Sequence, residues 1–218
     1  SKLMGERWMT AANSNKREKG PIFASTRFGN VLGSSGSVIP IFHNQIAKGG
    51  PVTLTDKNMT RFVMSVQESV QLVIDSAQLA RGGEVFVTKM PVIRIEDLAV
   101  AMIDLLAPKY HKNINDIVIE QIGTKPGEKL YEELMSDEEL RRTLELDKYF
   151  SVLPAFRGIY NDIDYAYSNI INSLVSDPYT SELQSSLSIE EIKTFLEKYK
   201  LLNIPEEDSE QRYWPGDK

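Results

Sequence analysis

Phe23-Ala24-Ser25-Thr26-Arg27-Phe28-Gly29-Asn30-Val31-Leu32-Gly33-Ser34-Ser35-Gly36-Ser37-Val38-Ile39-Pro40 decides how this chain is read. Phe23, Ala24 and Ser25 are the small or apolar lead-in to a buried strand that runs out past Arg27. The Gly/Ser run then forms a loop that opens a helix. Gly33 and Gly36 permit backbone angles closed to other residues and let a ligand approach the main chain. Ser37 stands at an N-cap position ahead of Val38 and Ile39. The first N–H groups of a helix have no intrahelical acceptor, so a strand, a glycine loop and a helix start make a ready anion site. The stretch predicts an α/β protein that binds something phosphorylated. Its spacing is that of neither a dinucleotide fingerprint nor a P-loop.

Outward from this stretch the pattern alternates. Upstream, Leu3, Met4, Arg7, Trp8 and Ala11 mark one face of a helix over residues 2–16, with Glu6 placed to pair with Lys2. Lys19-Gly20-Pro21 breaks it before a strand over 22–27. Downstream, a helix over 37–48 stops at Gly49-Gly50-Pro51, and Val52-Thr53-Leu54 is a short strand. Val66, Val70, Val73, Ile74 and Ala77 give a helix over 66–80, ended by Gly82-Gly83. A strand over 84–88, a helix over 95–106, a strand over 116–122 and a helix over 128–135 follow, then an extended segment over 149–154. Ser188-Ile189-Glu190-Glu191 is a capping-box start for an amphipathic helix carrying Ile192, Phe195, Leu196 and Tyr199. Such alternation favours parallel α/β construction.

Composition narrows the function. The 218 residues are 41% hydrophobic and 26% charged, with a net charge of −6. The negative balance argues against a sequence-independent nucleic-acid surface. With no cysteine, disulfides, thiolate metal sites and thiol nucleophiles are excluded. His43 and His111 are the only histidines, so no metal site is expected. No apolar run approaches the roughly 20 residues of a membrane span, and no signal peptide is visible. A cytoplasmic protein is the expectation. Helical periodicity already runs at Ser1, so the chain is expected to continue upstream.

Individual polar residues carry weaker signals. Asn30 offers a neutral amide at a strand end, able to donate to a phosphate or sugar oxygen. Arg61 is either an ordinary exposed arginine or a fork onto a diphosphate. Glu128 follows the turn Lys125-Pro126-Gly127. It reads as a helix-start carboxylate favoured by the helix dipole, or as an acceptor for ribose hydroxyls. Lys2, taken alone, is a surface lysine.

In combination these stretches resemble the polysaccharide-biosynthesis branch of the extended short-chain dehydrogenases, which holds the UDP-N-acetylglucosamine 4,6-dehydratases and related nucleotide-sugar epimerases. Four motifs carry the resemblance in order: Ser1-Lys2-Leu3-Met4-Gly5-Glu6; Arg27 through Pro40; Gly49-Gly50-Pro51-Val52 with Met59-Thr60-Arg61-Phe62; and Pro126-Gly127-Glu128-Lys129-Leu130. A looser match near the end joins Tyr179-Thr180-Ser181 to Leu187 through Ile192. The resemblance implies the C-terminal half of a Rossmann-like fold with a small, mostly helical substrate-binding region. Residues 1–150 would belong to the NAD(P)- and nucleotide-sugar-binding fold, 151–205 to a helical extension and 206–218 to a polar tail.

The same resemblance implies roles. Lys2 matches the lysine of the Tyr-x-x-x-Lys pair, which contacts the nicotinamide ribose and makes the tyrosine more acidic; that tyrosine would precede residue 1. Phe28 matches a position whose backbone lies near the nicotinamide of NAD or NADP. Asn30 and Arg61 match residues on the diphosphate of a UDP-sugar. Val38, Ile39, Pro40 and Phe42 match the segment around the uracil, and Ser37 is counted with them among the substrate-binding residues. Lys125 and Glu128 match a pair near the uridine ribose and phosphates, although the family often has Arg where Lys125 stands and also where Ser35 stands. The implied activity of the whole enzyme is 4,6-dehydration of a UDP-N-acetylhexosamine, with 4-epimerisation as the close rival and homo-oligomers as the common state. A non-catalytic nucleotide-sugar binding fragment is the reading from another class, because the Gly-rich dinucleotide fingerprint is absent from these residues.

Overall fold

The deciding stretch does not form one strand: Ser25–Arg27 joins one sheet and Asn30–Val31 another. The structure is a computed structural model that describes residues 2–16, 20–34, 37–155 and 163–203. In chain order the first elements are α1 (Lys2–Asn15), β1 (Ser25–Arg27), β2 (Asn30–Val31), α2 (Val38–Lys48), β3 (Val52–Leu54) and β4 (Thr60–Met64). There follow α3 (Val66–Leu79), β5 (Val85–Thr88), β6 (Val92–Arg94), α4 (Ile95–Leu106), β7 (Ile119–Gln121) and β8 (Glu133–Met135). The last are α5 (Asp137–Leu140), β9 (Thr143–Leu146), β10 (Tyr149–Val152), β11 (Ile170–Asn172), β12 (Tyr179–Thr180) and α6 (Ile189–Lys198).

The chain divides into two units and passes between them repeatedly. One unit takes Ser1–Gly29, Gln67–Met90 and Glu133–Leu183; the other takes Asn30–Val66, Pro91–Glu132 and Gln184–Lys218. Residue 150 lies on β10, which pairs with β5 some sixty positions earlier in the chain and so falls in the first unit. The described residues of 151–205 include β11, β12 and α6. The expected tail at 206–218, Gly36 and Ser35 lie outside the described residues.

The first unit is built on a five-stranded sheet in the order β1-β5-β10-β9-β11. Only β1 and β5 are parallel; β10 and β9 form an antiparallel pair, and β11 runs antiparallel to β9. The expected parallel construction is met in part: β10 runs back beside β9 because Asp147 and Lys148 turn the chain directly, leaving no room for a crossover helix. β1 is an edge strand with all three residues half-buried, not the buried strand its composition suggests. Leu72 of α3 packs with Phe86, Leu146, Tyr149 and Tyr167 in this unit's core. The apolar positions that mark α3 in the sequence, Val66, Val70, Val73 and Ile74, are about half exposed. α3 carries apolar residues on more than one side, and periodicity alone does not say which side meets the sheet. The hydroxyl of Tyr149 on β10 donates to Asp75 at 2.5 Å, one turn along α3 from Leu72, and ties the helix to the sheet.

The second unit gathers α2, α4 and α6 with two small sheets, β2-β4-β6 and β3-β7. α2 buries Ile39, Phe42 and Ile46, spaced as one helical face, against Leu98 and Met102 of α4. It ends as its sequence predicts. Gly49 adopts φ +94°, and the N–H groups of Gly49 and Gly50 return to Ile46 and Gln45 carbonyls, the glycine stop of a helix. α6 starts with the capping box expected at Ser188 and Glu191 and turns Ile192 and Leu196 into the same core.

Candidate functional site

Each unit holds one group of residues singled out in the sequence. In the first unit a cavity of about 1070 Å³ opens beside α1 and β1; its lining includes Lys2, Glu6, Arg27, Phe28, Glu139 and Arg142. Lys2 at the start of α1 and Phe28 just past β1, the two residues matched to a cofactor, therefore border one space. Lys2 is exposed and Phe28 is 40% exposed, so both are available to a ligand.

Arg27 shapes this cavity and is the residue that sequence reading passed over. All five of its N–H donors are used. Nε and Nη2 donate to the Glu6 carboxylate at 3.0 and 2.5 Å, Nη1 and Nη2 to Glu139 at 3.0 and 3.0 Å, and Nη1 to the Leu134 carbonyl at 2.5 Å. Burial works against the Arg27 charge, but the two carboxylates outweigh it and hold its pKa above the ordinary value. Burial likewise works against the Glu139 charge, and the bonds from Arg27 and from the Ser136 main chain overcome it, so Glu139 sits below the usual carboxylate range. Glu6 thus pairs across the fold with Arg27, not along the helix with Lys2 as expected. The signal in the sequence was Arg27 itself, at the end of a strand with a carboxylate on the preceding helix.

In the second unit Asn30, Arg61, Lys125 and Glu128 meet around one segment, residues 125–132. Arg61 donates from Nη1 to the carbonyls of Thr60 and Leu130 at 2.7 and 3.2 Å, and from Nη2 to that of Lys129 at 2.8 Å. Glu128 accepts from Thr55 Oγ1 at 3.2 Å and from the Lys125 N–H at 3.1 Å. Asn30 donates to Glu132 at 2.9 Å. The helix expected over 128–135 is absent, and Glu128 instead closes a turn with Lys125, while 133–135 is β8. Pairing with distant segments is the reason: β8 pairs with β12, and the Leu130 carbonyl accepts from the Thr60 N–H of β4.

The segment matched to the uracil divides. Ile39 and Phe42 are fully buried in the core; the helical period that places them inward leaves Val38 and Pro40 half-buried. Ser37 occupies the N-cap of α2, but its side chain caps nothing, and Oγ is buried with no hydrogen-bond partner among the described residues. Among the described residues no cluster of three or more His, Asp or Glu side chains is arranged to hold a metal ion. His43 meets Tyr110, whose hydroxyl lies 3.2 Å from Nε2.

Residues 1–154 match the family described as polysaccharide biosynthesis protein. A protein of Methanocaldococcus jannaschii named an uncharacterized membrane protein is 51% identical over 154 residues, covering 71% of this chain and 46% of its own length. The capsular polysaccharide biosynthesis protein CapD of Staphylococcus aureus is 42% identical over 171 residues, 76% of this chain and 27% of CapD. A UDP-glucose 4-epimerase of Rickettsia bellii is 37% identical over 194 residues, 89% of this chain and 54% of the epimerase. In structure, the chain resembles Pen from Bacillus thuringiensis with a TM-score of 0.79 and 38% identity, covering 92% of this chain and 57% of Pen. The chain thus spans about half or less of the length of the curated relatives named here. No helix among the described residues is long and apolar enough to cross a membrane.

Proposed function

We propose a sugar-nucleotide function from a plain premise: this chain belongs to the polysaccharide biosynthesis protein family. The second unit holds the UDP part of a UDP-sugar. Arg61 takes the diphosphate, with Ser37 and the start of α2 beside it; Val38 and Pro40 flank the uracil, and Lys125 and Glu128 face the ribose. The observation that carries this reading is the state of two arginines. Arg27 is neutralised by two carboxylates, whereas Arg61 is bonded to three neutral carbonyls and pairs with no carboxylate among the described residues. A guanidinium held in place without a counter-ion is prepared for an anion.

In the first unit, Lys2 and Phe28 fit the edge of a nicotinamide site, because they border a cavity of about 1070 Å³ and remain exposed. When bound, NAD or NADP supplies a hydride acceptor. The chain's own contribution is to hold the ribose from Lys2 and present the flat side of the pocket at Phe28, which orients the reacting partners. The whole enzyme then oxidises the sugar at C4, and 4,6-dehydration of a UDP-N-acetylhexosamine is the activity we put first. A 4-epimerase is the second reading, favoured by the name of the Rickettsia relative. A homo-oligomer belongs to the same proposal.

Calorimetry of UDP binding tests the reading. Arg61→Ala weakens UDP by about 1.5–3 kcal/mol, the range for hydrogen bonds to charged groups, and Arg61→Lys falls between the two because it keeps charge but loses the fork. Unchanged affinity in R61A removes Arg61 from the site. Incubation of the whole protein with UDP-N-acetylglucosamine separates the activities: a 4-keto-6-deoxy product supports dehydration, and a C4 epimer without it supports the second reading.

A further inference from the structure

Tyr179-Thr180-Ser181 takes no part in the sugar-nucleotide reading, yet Tyr179 is joined to two walls of the first unit's cavity. One link is the strand pair: β12 runs antiparallel to β8, with Tyr179 opposite Met135, and Glu133, Leu134 and Met135 line the cavity. The other link is the side chain. Tyr179 is buried, and its ring leans on Phe150 with centroids 5.1 Å apart. Its hydroxyl accepts the Met90 N–H at 2.7 Å and donates to the Met90 carbonyl at 3.2 Å. A phenol carries one proton and free lone pairs, so both bonds form together. Burial pushes the hydroxyl up to about 12, so it keeps that proton at neutral pH. Met90, also buried, passes the contact on: its Sδ accepts the Gly29 N–H at 3.4 Å. Phe28 and Gly29 lie past the end of β1 and belong to no strand. Glycine has the freest backbone of any residue. The main chain there needs a tether from elsewhere in the fold, and Met90 supplies one.

We propose that Tyr179 is a positioning residue for the nicotinamide end of the first unit's pocket: its hydroxyl fixes the Met90 main chain, and the Met90 sulfur fixes Gly29 and with it the main chain of Phe28. The inference rests on the cofactor reading of Lys2 and Phe28, and it adds two residues that act through Gly29 and not by contact with the cofactor. Removing the hydroxyl takes from a buried N–H and its carbonyl the partner they share. The Met90 side chain, unbranched and with three rotatable bonds, then loses the fixed base from which its sulfur reaches Gly29.

Two variants test this in the whole protein. Tyr179→Phe keeps the ring on Phe150 and loses the hydroxyl; Met90→Leu keeps the volume and loses the sulfur. Amide exchange followed by NMR reads the tether without any ligand. In each variant the Gly29 amide is expected to exchange roughly 3- to 10-fold faster, the size of one neutral hydrogen bond, while the β5 amides stay within about twofold of wild type. Calorimetry then compares the dinucleotide, NAD or NADP, with its ADP-ribose part, which lacks the nicotinamide. Dinucleotide affinity falls roughly 3- to 10-fold in each variant and ADP-ribose affinity stays within about twofold. The double variant loses no more than either single one, because both residues act along one line of contacts. A merely structural tyrosine would weaken both ligands alike or neither. Unchanged Gly29 exchange in Tyr179→Phe overturns the proposal. So do unchanged dinucleotide affinity, equal losses for dinucleotide and ADP-ribose, or additive losses in the double variant. Should Tyr179→Phe fail to fold, the Gly29 step decides: unchanged Gly29 exchange in Met90→Leu overturns the proposal, and faster exchange with a loss confined to the dinucleotide supports it. Wild-type protein that binds neither NAD nor NADP refutes the cofactor reading itself, a result distinct from any of these.

Discussion

Arg27→Ala is the perturbation with the largest calculable effect on the first unit. The side chains of Arg27, Glu6 and Glu139 are 19%, 17% and 12% exposed, so the cluster is largely removed from water. Deleting the arginine strands two carboxylates that face the same point and leaves the Leu134 carbonyl without its donor. Breaking a buried pair by removing one partner costs about 3–5 kcal/mol. The residual exposure here puts the expectation at the lower end, about 3 kcal/mol. With a urea dependence of roughly 2 kcal/mol per molar, the unfolding midpoint falls by about 1.5 M. Trp8 on α1 and Trp214 are the only tryptophans, so Trp8 fluorescence in a Trp214→Phe background reports on the unit that contains the cluster. Adding Glu139→Ala to R27A removes one of the stranded charges and restores part of the loss, a non-additivity that a double-mutant cycle measures directly. A loss below about 1 kcal/mol in R27A would refute the claim that this cluster fastens α1 to the strand end beside Phe28.

Further expectations concern pH and packing. Glu139 has a folded pKa below its unfolded value, so its contribution to stability is present above about pH 4.3 and is lost as pH falls through the lower folded value; acid unfolding should be less steep in Glu139→Gln, and superimposable wild-type and E139Q profiles between about pH 5 and 2 contradict this. Gly82→Ala would bring a Cβ to 2.6 Å from the Asn13 side chain at a φ of +132°, and Asn13 is 2% exposed. A loss of roughly 1–3 kcal/mol is expected in thermal or urea melts, partly relieved by Asn13→Ala; an unaltered melt would show that Asn13 moves aside freely. Phe42→Ala should destabilise the second unit by about 3–5 kcal/mol as a core truncation, whereas Pro40→Ala should leave its stability within about 1 kcal/mol. Equal, small effects from the two would return Phe42 to the ligand side.

How much of this was legible beforehand depends on range along the chain. α2, α4 and α6 could be located to within a residue or two, because each carries an apolar face at helical spacing and a local start or stop: Gly49-Gly50-Pro51 after α2, the Ser188–Glu191 box before α6. β3 was visible between its turn residues. The two-residue strands β2 and β12 and the three-residue β6 and β8 are too short to show a period, and they exist as strands because distant partners supply their hydrogen bonds. The candidate ligand residues were found by motif, but their surroundings were not. Nothing local in Asn30 or Glu132 signals that they meet across 102 positions of chain.

The sequence by itself determined the class of the protein and the residues worth testing, since glycine stops, apolar spacing and the long Arg27–Pro40 motif are local properties that survive without a fold. Tertiary structure decided how each of those residues is partnered. Arg27 and Arg61 have the same side chain on short strands, β1 and β4, yet one is closed by Glu6 and Glu139 and the other is bonded only to neutral carbonyls. Ile39 and Phe42 share a helix with Pro40 but turn into the core. Availability to a ligand depends on which donors and faces remain after the chain has satisfied its own, and those partners come from remote segments that only folding brings together.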